Sequence, residues 1–159
     1  MPPYEYEPAN YLHLIEATRL GWGGWERWSE ARLRYLPMLG YAVRDGADAL
    51  VGVGAVVWIG TQTRGKAVGC FAITEAFRAT WHSRWVHRRA IEVLRLAHEA
   101  APVIYATPDP SISQSREFLT RLGFVDVGGE EWVHGVCDSV SPSGGLVHSL
   151  ERDGNSERC

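Results

Sequence analysis

Cysteine is scarce in this 159-residue chain. Cys70, Cys137 and Cys159 are far apart and form no Cys-x-x-Cys pair, which argues against a zinc knuckle and a disulfide framework. Basic charge is short too: 16 Lys and Arg stand against 19 Asp and Glu, a net charge of −3. That balance supplies no field for general nucleic-acid or anionic-membrane binding. Long apolar runs are missing. The longest, Ala49 to Ile59, is interrupted by Gly52 and Gly54 and is too short to span a bilayer. The opening MPPYEYEP lacks the basic-then-apolar order of a secretory signal. No internal repeat is visible. The expectation is a cytoplasmic protein in a reduced compartment, without a metal site or a membrane partner. Cys70, set in an apolar run, is expected to be a core thiol.

What is there suits one globular domain: 45% hydrophobic and 22% charged residues. Tyr4 and Tyr6 alternate with glutamates, a short edge strand over Pro2 to Glu7. Asn10 to Arg19 reads as a helix, with Tyr11, Leu12, Leu14, Ile15 and Leu20 as its apolar face and Gly21 ending it. Trp22, Trp25 and Trp28 follow at spacings of three. They are expected to pack a small helix, Gly24 to Leu36, onto the core; lining a ligand groove is the other reading. Three strand-like runs come next, Met38 to Val43, Ala49 to Ile59 and Lys66 to Thr74. The Asp45-Gly46 turn signal and a second turn over Gly60 to Gly65 separate them, so they predict an antiparallel meander. Gly52-Val53-Gly54 begins a dinucleotide fingerprint, but Val57 occupies the third glycine position and more strand follows, which excludes it. Thr80 to Ala100 is the longest predicted helix, with Thr80 as its N-cap. Trp81, Trp85, Val86, Ala90, Ile91, Val93, Leu94 and Ala97 form its buried stripe. His82, Arg84, Arg88, Arg89, Glu92, Arg95 and Glu99 form the wet one.

The stretch from Pro102 to Phe124 organises the rest. Val103-Ile104-Tyr105-Ala106 reads as a buried strand. After the turn cluster Thr107 to Ser111 a helix begins, either at Asp109 with Pro110 in the first turn or at a capping box of Ser111 and Gln114. Ile112, Ser115, Phe118, Leu119 and Leu122 share one face. Gly123 stops the helix and Phe124 folds back onto its last turn, as in a Schellman cap. Phe124 to Val127 and Glu131 to Cys137 make a closing hairpin around Gly128-Gly129. The prediction is one domain over residues 1–137 and a polar, partly disordered tail over 138–159. The fold class is α/β, a mixed, mostly antiparallel sheet with helices on both faces. Its order is strand, two helices, three strands, long helix, strand, helix, two strands.

That order, with a helix ending Arg121-Leu122-Gly123-Phe124 before a last hairpin, resembles the GNAT family of acyl-CoA-dependent N-acyltransferases over Tyr4 to Cys137. The resemblance implies that the fourth strand, Lys66 to Thr74, splays from the fifth, Val103 to Ala106, with acetyl-CoA in the gap beside Phe71 and Ile73. It places a pyrophosphate at the start of the long helix, where free N–H groups favour an anion. The family's loop pattern there is Gln/Arg-x-x-Gly-x-Gly/Ala, and Arg78 to Ser83 is the nearest fit. Arg78 matches; Trp81 stands for the first glycine and Ser83 for the second small residue. Arg78, Thr80 and Ser83 are the cofactor contacts this implies. Arg78, His82, Arg84 and Arg88 either hold an anion by side chain or form a solvated basic face. The family's asparagine early in the fourth helix and its tyrosine acid correspond to Ile112 and Leu119, which have no proton to give. Glu75 is the first candidate base, through water, and His82 the second; Tyr105 is a possible acid.

The activity implied is transfer of an acetyl group from acetyl-CoA to a small-molecule or protein amine by direct attack. The chain is also similar to GNAT-like internal virion or head-assembly proteins of short-tailed bacteriophages. The shared features are the aromatic strand Cys70-Phe71-Ala72-Ile73-Thr74, the lost glycine loop, the long basic helix and the Phe118-Leu119 pair. That second resemblance implies a catalytically inactive protein with phage structural partners, in the host cytoplasm or the virion.

Overall fold

The valine-rich runs that follow Pro37 form the middle of a seven-stranded sheet. The structure, a computed structural model, describes residues 4–22, 29–60, 65–80, 82–110, 112 and 114–135. In chain order the elements are β1 Glu5–Pro8, α1 Tyr11–Arg19, α2 Glu30–Leu33, β2 Met38–Arg44, β3 Leu50–Ile59, β4 Lys66–Ile73, α3 Glu75–Arg78, α4 Ser83–Ala97, β5 Ile104–Ala106, α5 Ser115–Leu122, β6 Val125–Asp126 and β7 Trp132–His134. The strands lie side by side as β1-β2-β3-β4-β5-β7-β6. Among them β4 and β5 pair in parallel, and the other neighbours are antiparallel. The predicted α/β class and meander are therefore present. The β2–β3 turn closes on Asp45, whose carboxylate accepts from the N–H groups of Ala47 and Ala49 at 2.9 and 3.0 Å.

Strand alternation, reset by one residue where the β2–β3 register skips Val51, sends β3 side chains into cores on both faces. Val51 and Val56 pack under α4 with Phe77, Val86, Leu94 and Ile104. Val57 packs with Leu14 and Leu33 of α1 and α2, and Val53 with Ala17. Phe77, only 1% exposed, is the sort of side chain whose burial contributes roughly 1.5–3 kcal/mol. Gly54 faces Tyr41 across the sheet, where an added Cβ would stand 2.5 Å from the phenol ring. Glycine there lets Tyr41 reach α4 and donate its hydroxyl to the Val86 carbonyl oxygen at 2.9 Å. Gly54 thus admits a neighbouring ring and belongs to no phosphate loop.

Several predicted boundaries are corrected. The long helix starts at Ser83, not Thr80, and ends at Ala97, not Ala100. The Thr80 hydroxyl turns back to donate to the Phe77 carbonyl at 2.7 Å, so it caps nothing. Thr74 does the capping one turn earlier: its side chain accepts from the Phe77 N–H and starts α3, a helix missing from the expected order. Ile91, placed in the buried stripe, is 46% exposed. The helix after β5 starts at Ser115, later than either predicted start at Asp109 or Ser111, and Ser115 Oγ accepts the Asp109 N–H at 2.8 Å. In α1, Leu12 and Leu20 face solvent while His13 is buried. Two hydrogen bonds make that burial tolerable: Nδ1 accepts from the Asn10 N–H and the other ring nitrogen meets Glu7 Oε1, each at 3.0 Å. The Gly123 cap is as expected, with φ +94° and the Phe124 N–H donating to the Leu119 carbonyl at 3.0 Å. Trp25, Trp28, Trp81, Ser111, Cys137 and the predicted tail lie outside the described residues. No helix among the described residues is long and apolar enough to cross a membrane.

Candidate functional site

The parallel ladder between β4 and β5 has two rungs, Ala67 with Ile104 and Val68 with Tyr105. β4 continues to Ile73, paired on its other edge with β3. From Gly69 to Ile73 its near edge carries no strand among the described residues. An open cleft of about 1730 Å³ occupies this gap and reaches both faces of the sheet. Phe71 and Ile73 point to the α4 side, where they join the larger core. Cys70 and Ala72 point to the α1 side. Tyr105, between the buried Ile104 and Ala106, faces the α1 side as well.

On the α4 side the wall is basic. Arg78, Ser83, Arg84, His87 and Arg88 line it, with Phe118, Leu119 and Arg121 of α5 opposite. Arg78 is fixed: one guanidinium nitrogen donates to Gln114 Oε1 at 2.7 Å and to Glu75 Oε2 at 3.2 Å. Arg121 pairs with Glu117. Arg84 and Arg88 make no ion pair among the described residues. They are four apart on one helix, a like-charge spacing that costs roughly 0.2–0.5 kcal/mol. Arg84 also stands in its first turn, where the macrodipole disfavours a cation. An anion between them would offset both costs. On the α1 side the wall is nearly neutral: Lys66 pairs with Glu131 and lies 4.4 Å over the Tyr105 ring, with Val133 beside them.

Four predicted site residues, Phe71, Ile73, Arg78 and Ser83, meet on this cleft. Three do not line it. Thr80 is engaged with Phe77. Glu75 is exposed at the start of α3, and the His82 ring packs edge-on against Tyr4 at 4.7 Å. His87, Gln114 and the Lys66–Glu131 pair were missing from the predicted set. His87 was readable, three residues from Arg84 on the same face; Gln114 and Glu131 arrive from distant turns that local sequence does not connect. Shifted carboxylates lie elsewhere. The Arg44 guanidinium holds the Glu16 carboxyl below its ordinary value, and His13, with Arg44 adding to it, does the same to Glu7. Among the described residues no group of three His, Cys, Asp or Glu could hold a metal.

This chain resembles spermidine N-acetyltransferase from Vibrio cholerae with a TM-score of 0.50 at 14% identity, over 82% of this chain and 90% of that one. The fold is the GNAT fold. Two further structures align less well. One is a spermidine/spermine N-acetyltransferase from Vibrio cholerae, with a TM-score of 0.48, 15% identity and coverage of 82% and 88%. The other is the GCN5-related glucosamine N-acetyltransferase region of a fungal multi-domain β-N-acetylglucosaminidase. Its TM-score is 0.47 at 13% identity, over 79% of this chain and 17% of that much longer one. The sequence matches no protein-family model and no curated protein. At these identities the GNAT likeness speaks for architecture, and the chemistry rests on the cleft.

Proposed function

We propose that this chain is an acyl-CoA-dependent N-acyltransferase that moves an acetyl group from acetyl-CoA to a small-molecule or protein amine. The observation that carries the reading is the parting of β4 and β5 after Val68 and Tyr105, which opens a cleft through the sheet with unpaired arginines on one side. The residues present fit acetyl-CoA. The free edge of β4 offers backbone N–H and C=O groups to an extended, amide-bearing arm, as an added strand would use them. Phe71 and Ile73 give that arm an apolar wall. Arg84 and Arg88, with Ser83 in the first turn of α4, offer charge and donors to phosphate. This replaces the glycine-lined cradle that the loop lacks.

Bound acetyl-CoA supplies the activated acyl group; the protein supplies position and proton transfer. An amine would enter from the α1 side, past Tyr105 and Val133. Glu75 and His82 stand off the cleft wall, so a role for either as proton acceptor runs through water. A second reading, a catalytically inactive GNAT-fold protein of virion or head assembly, draws on that same offset and on Leu119 at the place of the family's tyrosine. The test is a thiol-release assay with acetyl-CoA and a panel of amines, from polyamines to peptide amines. Amine-dependent release supports the enzyme. A folded protein that binds acetyl-CoA yet releases no thiol with any amine supports the second reading.

A further inference from the structure

Lys66 is the single lysine of this sequence; every other one of its 16 Lys and Arg side chains is an arginine. The difference is chemical. A guanidinium keeps its proton and is no nucleophile, whereas a lysine ammonium can shed a proton and accept an acyl group. The one side-chain amine of the chain stands on the cleft wall. Lys66 opens β4, two residues before the Val68–Tyr105 rung at which the sheet parts, a step of roughly 7 Å. Its ammonium sits 4.4 Å from the centre of the Tyr105 ring, with both oxygens of the Glu131 carboxylate as hydrogen-bond acceptors. We propose that Lys66 is an acetylation site of the protein itself: its amine takes the acetyl group from acetyl-CoA bound in the same cleft.

On the acyl-CoA reading of the cleft, on which this site rests, the thioester arrives beside Lys66. The long helix α4 begins past the end of β4, and Val86 in its first turns lies over Tyr41, in register with Phe71 through Gly54. Arg84 and Arg88 therefore flank the free half of β4. An arm that starts from phosphates held there and lies on the free edge of β4 runs toward Gly69, and its thioester reaches the closed end of the gap. The Lys66–Glu131 pair is partly exposed, and such pairs are weak, so Nζ leaves the carboxylate readily. Nζ sheds one proton to solvent by way of Glu131 and attacks the thioester carbonyl carbon. The N–C bond forms, the C–S bond breaks, and a second proton from the nitrogen ends on the departing sulfur as free thiol. The side chain becomes a neutral acetamide. Glu131 and the face of Tyr105 are then released, a carboxylate and an aromatic ring that together suit the ammonium of an incoming acceptor.

The test incubates the full chain with acetyl-CoA and no added amine, then reads thiol release and peptide masses after trypsin. Trypsin cuts after Lys66 only while its amine is free, so acetylation leaves residues 65–78 joined and heavier by one acetyl group. The expected result is stoichiometric thiol release with the acetyl group on Lys66. The reaction should be about tenfold or more slower once excess CoA fills the cleft and removes the advantage of proximity. Lys66→Arg keeps the cation and should release no thiol on the same timescale. A chain that binds acetyl-CoA yet leaves Lys66 unmodified overturns the site alone. So does acetylation that excess CoA does not slow, which is plain chemical acylation. A folded chain that does not bind acetyl-CoA overturns the acyl-CoA reading and the site with it.

Discussion

Val68 pairs with Tyr105, and that rung is the last between β4 and β5. Everything proposed for function follows from the ladder stopping there. β4 has five more residues, Gly69 to Ile73, and turns its near edge to the cleft instead of to a strand. An unpaired strand edge presents a row of N–H and C=O groups ready to pair. Here a ligand would be the partner.

The arginine row makes the first prediction. Replacing Arg84 and Arg88 together by Ala should weaken acetyl-CoA binding by tenfold or more, since hydrogen bonds to charged groups contribute about 1.5–3 kcal/mol each. The variant should also show a weaker salt dependence of binding than the one expected of the wild type. Its stability should be unchanged or higher by a few tenths of a kcal/mol, because a like-charge pair has gone. Titration calorimetry at two salt concentrations, with urea unfolding alongside, reads all three.

The α5 cap makes the second. Gly123 holds φ +94°, and an added Cβ would sit 3.1 Å from His134 Nε2. Gly123→Ala should destabilise the fold by about 1–2 kcal/mol from the left-handed backbone alone. A urea midpoint equal to that of the wild type would contradict the cap as described.

The link from sheet to long helix makes the third. Tyr41 is buried and donates to the Val86 carbonyl oxygen at 2.9 Å, and burial pushes its phenol pKa far up. Tyr41→Phe keeps the ring and loses the hydrogen bond. The expected cost is about 1 kcal/mol in urea unfolding, with an unchanged fold by circular dichroism.

The Arg44 network makes the fourth. Arg44 donates to Glu16 Oε2 at 2.7 Å and to Glu7 Oε1 at 3.0 Å, tying β1 and α1 to β2. Both carboxyls have folded-state pKa values below their ordinary 4.5. Such groups stabilise the fold above their unfolded pKa and lose that contribution as pH falls through the folded one. Stability should therefore drop as pH is lowered below about 4.5, and Arg44→Met should flatten the drop. Unfolding measured over a pH series checks the slope.

The fold was legible because local signals agreed with the global pattern. Asp45-Gly46 marked the hairpin, the valine runs marked the central strands, and Gly123-Phe124 marked the end of α5. Where a side chain had two options, the sequence reading failed. Thr80 could cap or turn back, and it turned back. Ser115 could start a helical face or bind Asp109, and it does both. The cleft was half legible. Phe71, Ile73, Arg78 and Ser83 were expected from the GNAT-like order and loop pattern, and all four lie within one segment. Gln114 and Glu131 are brought to the cleft by tertiary contacts between segments far apart in the chain, and no spacing rule reports those.

The most direct test of the central claim is calorimetric titration of the folded wild-type chain with acetyl-CoA, with S-acetyl-pantetheine as the truncated comparison. The account predicts micromolar binding of acetyl-CoA and much weaker binding of the pantetheine form, because the phosphates meet Arg84 and Arg88. No binding of either by folded protein would contradict the placement of an acyl-CoA site between β4 and β5.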